Sequence, residues 1–443
     1  SCFMKHEKTP ILGIMNPYAA IILAALLITT ALEIWADLLN LRALRPDLPD
    51  EFKDVYEEKE YARSQEYTRV RTRFGLISGG FDMAVMLAFW FAGGFNWLDL
   101  LLRGLDFGPI VTGILFIGTL GAGMGILSLP FSIYSTFVIE ERFGFNRTTV
   151  KTFILDLLKG AGISILIGVP VLMLILWLFM EAGTVAWLYA WIAVTLFMIV
   201  MQYVAPTWIM PLFNKFTPLE DGPLRSEITS YAESVKFPLR DVFMMDGSKR
   251  SSRSNAFFTG FGKNKRIVLF DTLIEKHGVE ELTSVLAHEI GHYRKRHIII
   301  GLLTSIAESG IMFFLLSLFI SQSALSEAFF MQYVSVYAGL VFFGMLYSPV
   351  SFLLSLGENV LSRKHEFEAD RYAVLTYRKP DAMIAALKTL SVDNLSNVTP
   401  HPVYVFLHYS HPPMLERLRH ISAVAAEKLP HRSKIRLGVR DLL

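Results

Sequence analysis

Apolar positions along this 443-residue chain gather into seven long runs separated by polar segments. The runs cover roughly residues 17–35, 77–102, 109–139, 154–180, 184–213, 298–320 and 329–356. Each is close to, or longer than, the roughly 20 apolar residues a helix needs to cross a bilayer. Several exceed it, so tilting or protrusion is expected. Gly121, Gly123, Pro170, Pro206 and Pro211 fall inside these runs. Such breaks are tolerated where neighbouring helices or a watery cavity satisfy the freed backbone groups. The pattern predicts an α-helical, multi-span membrane protein with seven transmembrane helices. Two polar segments, 214–297 and 357–443, are long enough to fold, though neither makes a comfortable independent domain.

Composition agrees with a membrane protein. Hydrophobic residues make up 53% of the chain and charged residues 19%, and the mean hydropathy is +0.42. Disorder is excluded by 34 Phe, 16 Tyr and 7 Trp, which are core and interface residues. The single Cys2 rules out an intramolecular disulfide framework and any multi-cysteine metal site. A net charge of +2 gives no case for nucleic acid as a partner.

Charge also predicts orientation. The first loop, 36–76, carries eight Lys/Arg between Arg42 and Arg73, and the third, 140–152, carries Arg142, Arg147 and Lys151. The second loop offers only Arg103. Cytoplasmic loops hold the Lys/Arg excess, so the odd loops and the C-terminal segment are expected inside and the N-terminus outside, with Lys5 and Lys8 weakly opposed. The sequons at Asn146, Asn394 and Asn397 all fall on the cytoplasmic side and are expected to stay unmodified. The first apolar run is too long for a signal-peptide core, so no cleavable leader is expected.

The chemistry concentrates in four segments. Within a helical pattern over 278–294, His288-Glu289-Ile290-Gly291-His292 puts two imidazoles four residues apart on one helix face, where both can hold Zn²⁺. Glu289 lies off that face, placed to take a proton from the attacking water rather than to ligate. Catalytic zinc wants a third protein ligand. Cysteine is unavailable and no third His follows six residues on. The segment Ser362-Arg363-Lys364-His365-Glu366-Phe367-Glu368-Ala369-Asp370 can supply it, with Glu366 as ligand and Asp370, one turn on, as the carboxylate partner that ligand histidines usually need; Glu368 and His365 compete. In Tyr409-Ser410-His411-Pro412-Pro413 the prolines set His411 at a helix entrance, where it could donate to a developing oxyanion, and Arg417 could pair with Asp370. Ser254–Phe261 and Arg266–Phe270 read as strands of a hairpin beside the zinc helix. A peptide lying along Asn255, Ala256 and Phe257 would bind there by strand addition.

Taken together, the HEIGH helix, SRKHEFEAD, YSHPPMLERL, RSNAFFTGF and FVIEERFGFNRTT (starting at Phe137) resemble, in order and spacing along nearly the whole chain, the type I CAAX prenyl endopeptidases, which are integral-membrane zinc metalloproteases. The resemblance implies one zinc per chain held by His288, His292 and Glu366, with Glu289 as base. It gives Asp370 a proton-donating or supporting role and makes Asn255, His411 and Arg417 neighbours of the active site. It further implies seven helices around an intramembrane chamber and a mostly helical protease domain, with a small β-hairpin, on the cytoplasmic side. The expected organisation is five membrane helices in 1–213, the HExxH-bearing protease segment in 214–297, helices six and seven in 298–356, and a C-terminal segment in 357–443 supplying the third ligand and the His-Pro-Pro motif.

Expected partners are a peptide or protein substrate, a farnesylated one cut near its C-terminus among the candidates, and the lipid bilayer, with the chain acting as a monomer. Arg440-Asp441-Leu442-Leu443 is no recognisable ER-retention signal, which keeps a bacterial inner membrane beside the ER membrane as a location. Two alternatives stand against CaaX processing. One is a membrane-protein quality-control metalloprotease without prenyl specificity. The other is a non-enzymatic helical transporter or scaffold with a relict zinc site, against which the intact Glu289 counts.

Overall fold

The structure, a computed structural model, describes residues 16–259 and 265–428. Cys2, Lys5, Lys8, the turn at 260–264 and the C-terminal 440–443 lie outside the described residues. The principal helices and strands are, in chain order, α1 (Pro17–Ala43), α2 (Glu58–Phe91), the short α3 (Gly94–Arg103), α4 (Pro109–Glu140), α5 (Val150–Glu181), α6 (Gly183–Phe213), β1 (Phe216–Pro218), α7 (Pro223–Ser234), β2 (Leu239–Met245), β3 (Ala256–Thr259), β4 (Lys265–Phe270), α8 (Val279–Arg294), α9 (His297–Phe319), α10 (Val336–Tyr377), α11 (Pro380–Asp393) and α12 (Met414–Lys428). Among the described residues, seven helices are long and apolar enough to cross a membrane: α1, α2, α4, α5, α6, α9 and α10.

Several boundaries depart from the hydropathy reading; α10, for one, starts at Val336 rather than 329 and runs on to Tyr377. The apolar run 77–102 is not one helix. It breaks where Gly93 takes a left-handed conformation (φ +73°), and α3 continues as a separate element. At its other end α2 begins at Glu58, well before the apolar residues. The intervening Glu, Lys, Arg, Gln and Ala are strong helix formers that a hydropathy window does not register. α4, α5 and α6 each contain a widened π-turn, at Ser135–Glu140, Ser164–Gly168 and Ala205–Ile209. Pro170 and Pro211 have no N–H for the carbonyl four residues earlier, at Leu166 and Thr207. Both positions fall inside π-turns.

The chain forms two compact units, each built from interleaved segments. The first takes the described residues up to Leu41, with Arg69–Ala205 and Gly301–Gly357. One of its cores is strongly aromatic: Trp90 stacks on Phe329 at 4.6 Å and its indole donates to the Ala328 carbonyl at 2.8 Å. The fully buried Asp99 accepts from Arg103 Nε at 2.7 Å and from the Tyr337 hydroxyl at 2.5 Å, so this buried charge is paired. Elsewhere large side chains face outward, with Leu166 75% and Ile126 70% exposed. Surfaces of that kind need lipid to cover them.

The second unit takes Arg42–Thr68, Pro206–Ile300 and the described residues from Glu358 on. Its sheet has the order β1-β2-β4-β3, with β2 and β4 parallel and the outer pairs antiparallel. The hairpin expected from sequence is therefore the β3–β4 half of a larger, four-stranded sheet. Ile267, Val268 and Leu269 of β4 are all buried, as befits an inner strand covered on both faces. α8 packs Leu282, Leu286 and Ile290 into the core shared with the sheet, α11 and α12.

The opposite face of α8 approaches α10 at Gly291. A Cβ placed there would stand 3.0 Å from the Ala369 Cα and 3.1 Å from its carbonyl oxygen. A side chain there would require the α10 backbone to give way by a few tenths of an ångström. Gly291→Ala is expected to push them apart, lowering stability by about 1–3 kcal/mol as overpacking does. Because both helices carry candidate ligands, zinc retention should fall with it. Thermal unfolding and metal analysis of the variant check this, and wild-type values in both would refute it.

Candidate metal centre

The α8–α10 contact sets four side chains against one another. α8 presents His288 and His292, one turn apart, and α10 presents Glu366 and Asp370, also one turn apart. The Nε2 atoms of His288 and His292 are 3.1 Å apart. Glu366 Oε1 lies 3.2 Å from His292 Nε2, and Oε2 lies 3.4 Å from His288 Nε2. These three residues form a group whose donor atoms lie within 4.8 Å of one another. The buried Glu366 Oε2 accepts no hydrogen bond. Two imidazole nitrogens facing each other and a buried carboxylate oxygen without a donor fit a shared cation. The competing candidates turn elsewhere. Glu368 reaches His297, and the His365 ring stacks on His297 at 3.9 Å.

Behind this set stands a buried ion pair. Asp370 Oδ1 lies 2.7 Å from His288 Nδ1. Arg417, at the start of α12, donates to both Asp370 oxygens, Nη2 to Oδ1 at 2.6 Å and Nε to Oδ2 at 2.9 Å. Such a bidentate clamp fixes both planes. Arg417 Nη1 also stands 3.6 Å from Glu366 Oε2. The helix carrying Arg417 begins just past Pro412-Pro413, and His411 sits at that corner with its Nε2 3.4 Å from Glu366 Oε1. Its Nδ1 is 3.0 Å from the Ser410 hydroxyl, and the side chain is otherwise open to solvent.

A cavity of about 300 Å³ joins these groups. His288, His292, Glu366, Glu289, His411 and Arg417 line it, with Asn255 and Ala256 at the start of β3. Glu289 is half-buried. Among the described residues β3 is an edge strand, paired to β4 alone. Asn255 Oδ1 accepts from the Ala256 N–H at 2.8 Å, while the Phe257 ring packs edge-on against Phe270 at 6.4 Å rather than lining the cavity. The apolar wall comes from Val285, Met383, Leu387 and Leu390, which sequence reasoning did not single out. Met383, Leu387 and Leu390 follow helical spacing, a signal that reads equally as core.

Comparison with known proteins agrees with this architecture. A family described as CAAX prenyl protease N-terminal, five membrane helices, matches residues 37–215, and peptidase family M48 matches residues 218–425. The CAAX prenyl protease 1 homolog of Arabidopsis thaliana is 36% identical over 415 residues, covering 91% of this chain and 97% of the relative. The chain belongs to the CAAX prenyl protease 1 family. CAAX prenyl protease 1 of Saccharomyces cerevisiae is 35% identical over 408 residues, 86% of this chain and 90% of its own. The crystal structure of S. mikatae Ste24p superposes with a TM-score of 0.87 at 33% identity, covering 93% of this chain and all of that one. Like the rest of this family of membrane metallopeptidases, the chain is an integral multi-pass membrane protein and a metalloendopeptidase.

The electrostatics of the family site set how the metal competes with protons. Burial would push the His288 imidazole down, but the hydrogen bond and charge of Asp370, helped by Glu366, outweigh it and carry its pKa up to about 9. Metal-free, His288 is therefore protonated at neutral pH, and a cation at Nε2 must displace that proton. Apparent metal affinity should rise by about tenfold per pH unit and level off above the pKa of about 9. Chelator competition at a series of pH values measures this. An affinity independent of pH below 9 would contradict it.

Proposed function

We propose that the chain is a zinc endopeptidase that cuts prenylated CaaX proteins near their C-termini, with the farnesylated ones as its substrates. The observation that carries this reading is the convergence of His288, His292 and Glu366 on one point of a cavity that also holds Glu289, in a chain whose relatives are named CAAX prenyl protease 1. One chain supplies the whole donor set, which supports one zinc per chain and a monomer as the working unit.

His288, His292 and Glu366 would hold the zinc, which when bound would supply Lewis-acid chemistry for peptide hydrolysis. The remaining work falls to side chains. Glu289, beside both ligands but off their face, takes the proton of the attacking water and can return it to the leaving amine. His411 donates from Nε2 to the oxyanion as it develops. Asp370, clamped by Arg417, keeps the His288 ring oriented through Nδ1. The substrate lies extended beside β3, with its main chain paired along Asn255, Ala256 and Phe257. The eukaryotic relatives favour the ER membrane over a bacterial one. The Lys/Arg bias favours a cytoplasmic protease unit with the N-terminus outside.

Mass spectrometry of products from a farnesylated CaaX peptide and its unprenylated twin tests the substrate class. Cleavage of the farnesylated peptide after its cysteine is expected. Equal cleavage of both would favour a quality-control protease instead. In the same assay Glu289→Gln should keep its zinc and lose turnover by about 10²–10⁴-fold, and Asn255→Ala should raise KM. His411→Ala should lower kcat by up to roughly 10²–10³-fold. Full activity in the zinc-loaded Glu289→Gln protein would remove Glu289 from the mechanism.

Orientation is tested on sealed vesicles whose cytoplasmic side faces out, starting from a protein in which Cys2 is replaced. A cysteine at the exposed Ser230 of α7 should react with an impermeant thiol reagent, and one at the exposed Thr184, ahead of α6's main turns, only after detergent. The reverse pattern would invert the topology.

A further inference from the structure

The two candidate histidine ligands are held differently from behind. His288 rests on Asp370. His292 turns its Nδ1 to the Nδ1 of His297, 3.0 Å away, and His297 turns its Nε2 to Glu368 Oε2, 3.2 Å away. His297 is buried, and the His365 ring lies parallel to it at 3.9 Å and 9°. In the sequence His297 ends the basic run Arg294-Lys295-Arg296 and reads as part of a charged membrane flank.

The protons in this chain of contacts can be assigned. If His292 Nε2 offers its lone pair to a metal beside Glu366, its ring proton must sit on Nδ1. That N–H then donates to His297 Nδ1, which has to be bare. A neutral His297 consequently carries its proton on Nε2 and donates it to the Glu368 carboxylate. Every nitrogen has one role and no two protons meet. Moving the His297 proton to Nδ1 would set two N–H groups against each other across 3.0 Å. Glu368 therefore selects the tautomer of His297, and His297 selects that of His292.

We propose that His297 and Glu368 are positioning residues that fix the tautomer and ring orientation of His292 for zinc, as Asp370 and Arg417 do for His288. The inference rests on the metal-centre reading above. It also explains why Glu368, two residues from Glu366 on the same helix, is not a ligand: its carboxylate is engaged one layer further out.

The test is zinc affinity by chelator competition on the full-length protein in detergent, with the visible spectrum of the Co²⁺-substituted protein as a second readout. His297→Leu keeps the bulk and removes both nitrogens. It should weaken zinc binding by about 10–100-fold, the usual scale for losing a group behind a ligand, and shift the Co²⁺ bands. His297→Asn, whose carbonyl can accept from His292 Nδ1, should restore much of both. Glu368→Ala should weaken binding in the same direction, and the double variant should bind no worse than His297→Leu alone, because the two act in series. Glu368 is 38% exposed, so its variant carries the test if His297→Leu does not fold. Wild-type zinc affinity in His297→Leu, or losses that simply add in the double variant, would overturn the proposal and leave the metal-centre reading standing. A wild-type protein without bound zinc would bring down both.

Discussion

Two carboxylates buried one helical turn apart, Glu366 and Asp370 on α10, are the constraint around which the protease unit is arranged. An uncompensated buried charge costs several kcal/mol, so each needs cationic or hydrogen-bonding partners brought by other elements. Asp370 takes both arms of Arg417 from α12 and the Nδ1 side of His288 from α8. Glu366 has Arg417 only at 3.6 Å, and the oxygen facing it accepts no hydrogen bond. The pair is thus unequal. One member is satisfied within the protein, and the other keeps a buried oxygen that accepts no hydrogen bond and could face a cation. Removing Asp370 would strand the Arg417 guanidinium, so the supporting carboxylate bears on the fold as much as on the site.

Geometry of this kind depends on backbone approach before side-chain identity. Gly291 inside the HExxH segment and Ala369 inside the acidic segment touch directly. Leu282, Leu286 and Ile290 on the opposite face of α8 tie the same helix to the sheet. The HExxH helix is therefore clamped on both faces, by apolar burial on one side and close packing beside charge on the other. A histidine pair on a loosely held helix would have no fixed Nε2–Nε2 separation to offer a metal.

Much of this was legible in the chain. HExxH and the Glu366/Asp370 spacing are local helical patterns, so sequence alone puts each pair on one face, and the Arg417–Asp370 partnership followed from charge. The seven apolar runs were visible because a bilayer demands length. What escaped was whatever depends on a single backbone torsion or on tertiary approach. Gly93 splits an apolar run by turning left-handed, and hydropathy averages over it. β1 and β2 enlarge a hairpin into a sheet through pairings distant in sequence. His297 is the clearest case. Next to three basic residues it reads as flank, and only the fold turns its ring between His292 and Glu368.

The edge strand β3 is four residues long, Ala256–Thr259. A chain paired along it must be extended for about 13 Å, at roughly 3.3 Å per residue. No helix or folded hairpin can lie there without first unravelling, and the cavity beside it measures only about 300 Å³. For a substrate bound in that way, selection would act on order before it acted on sequence. A loose tail can adopt the extended form at small entropic cost, whereas a residue inside a folded domain must first unfold locally, at a cost of up to that domain's global stability. Such an enzyme can coexist with folded membrane proteins and still trim their ends.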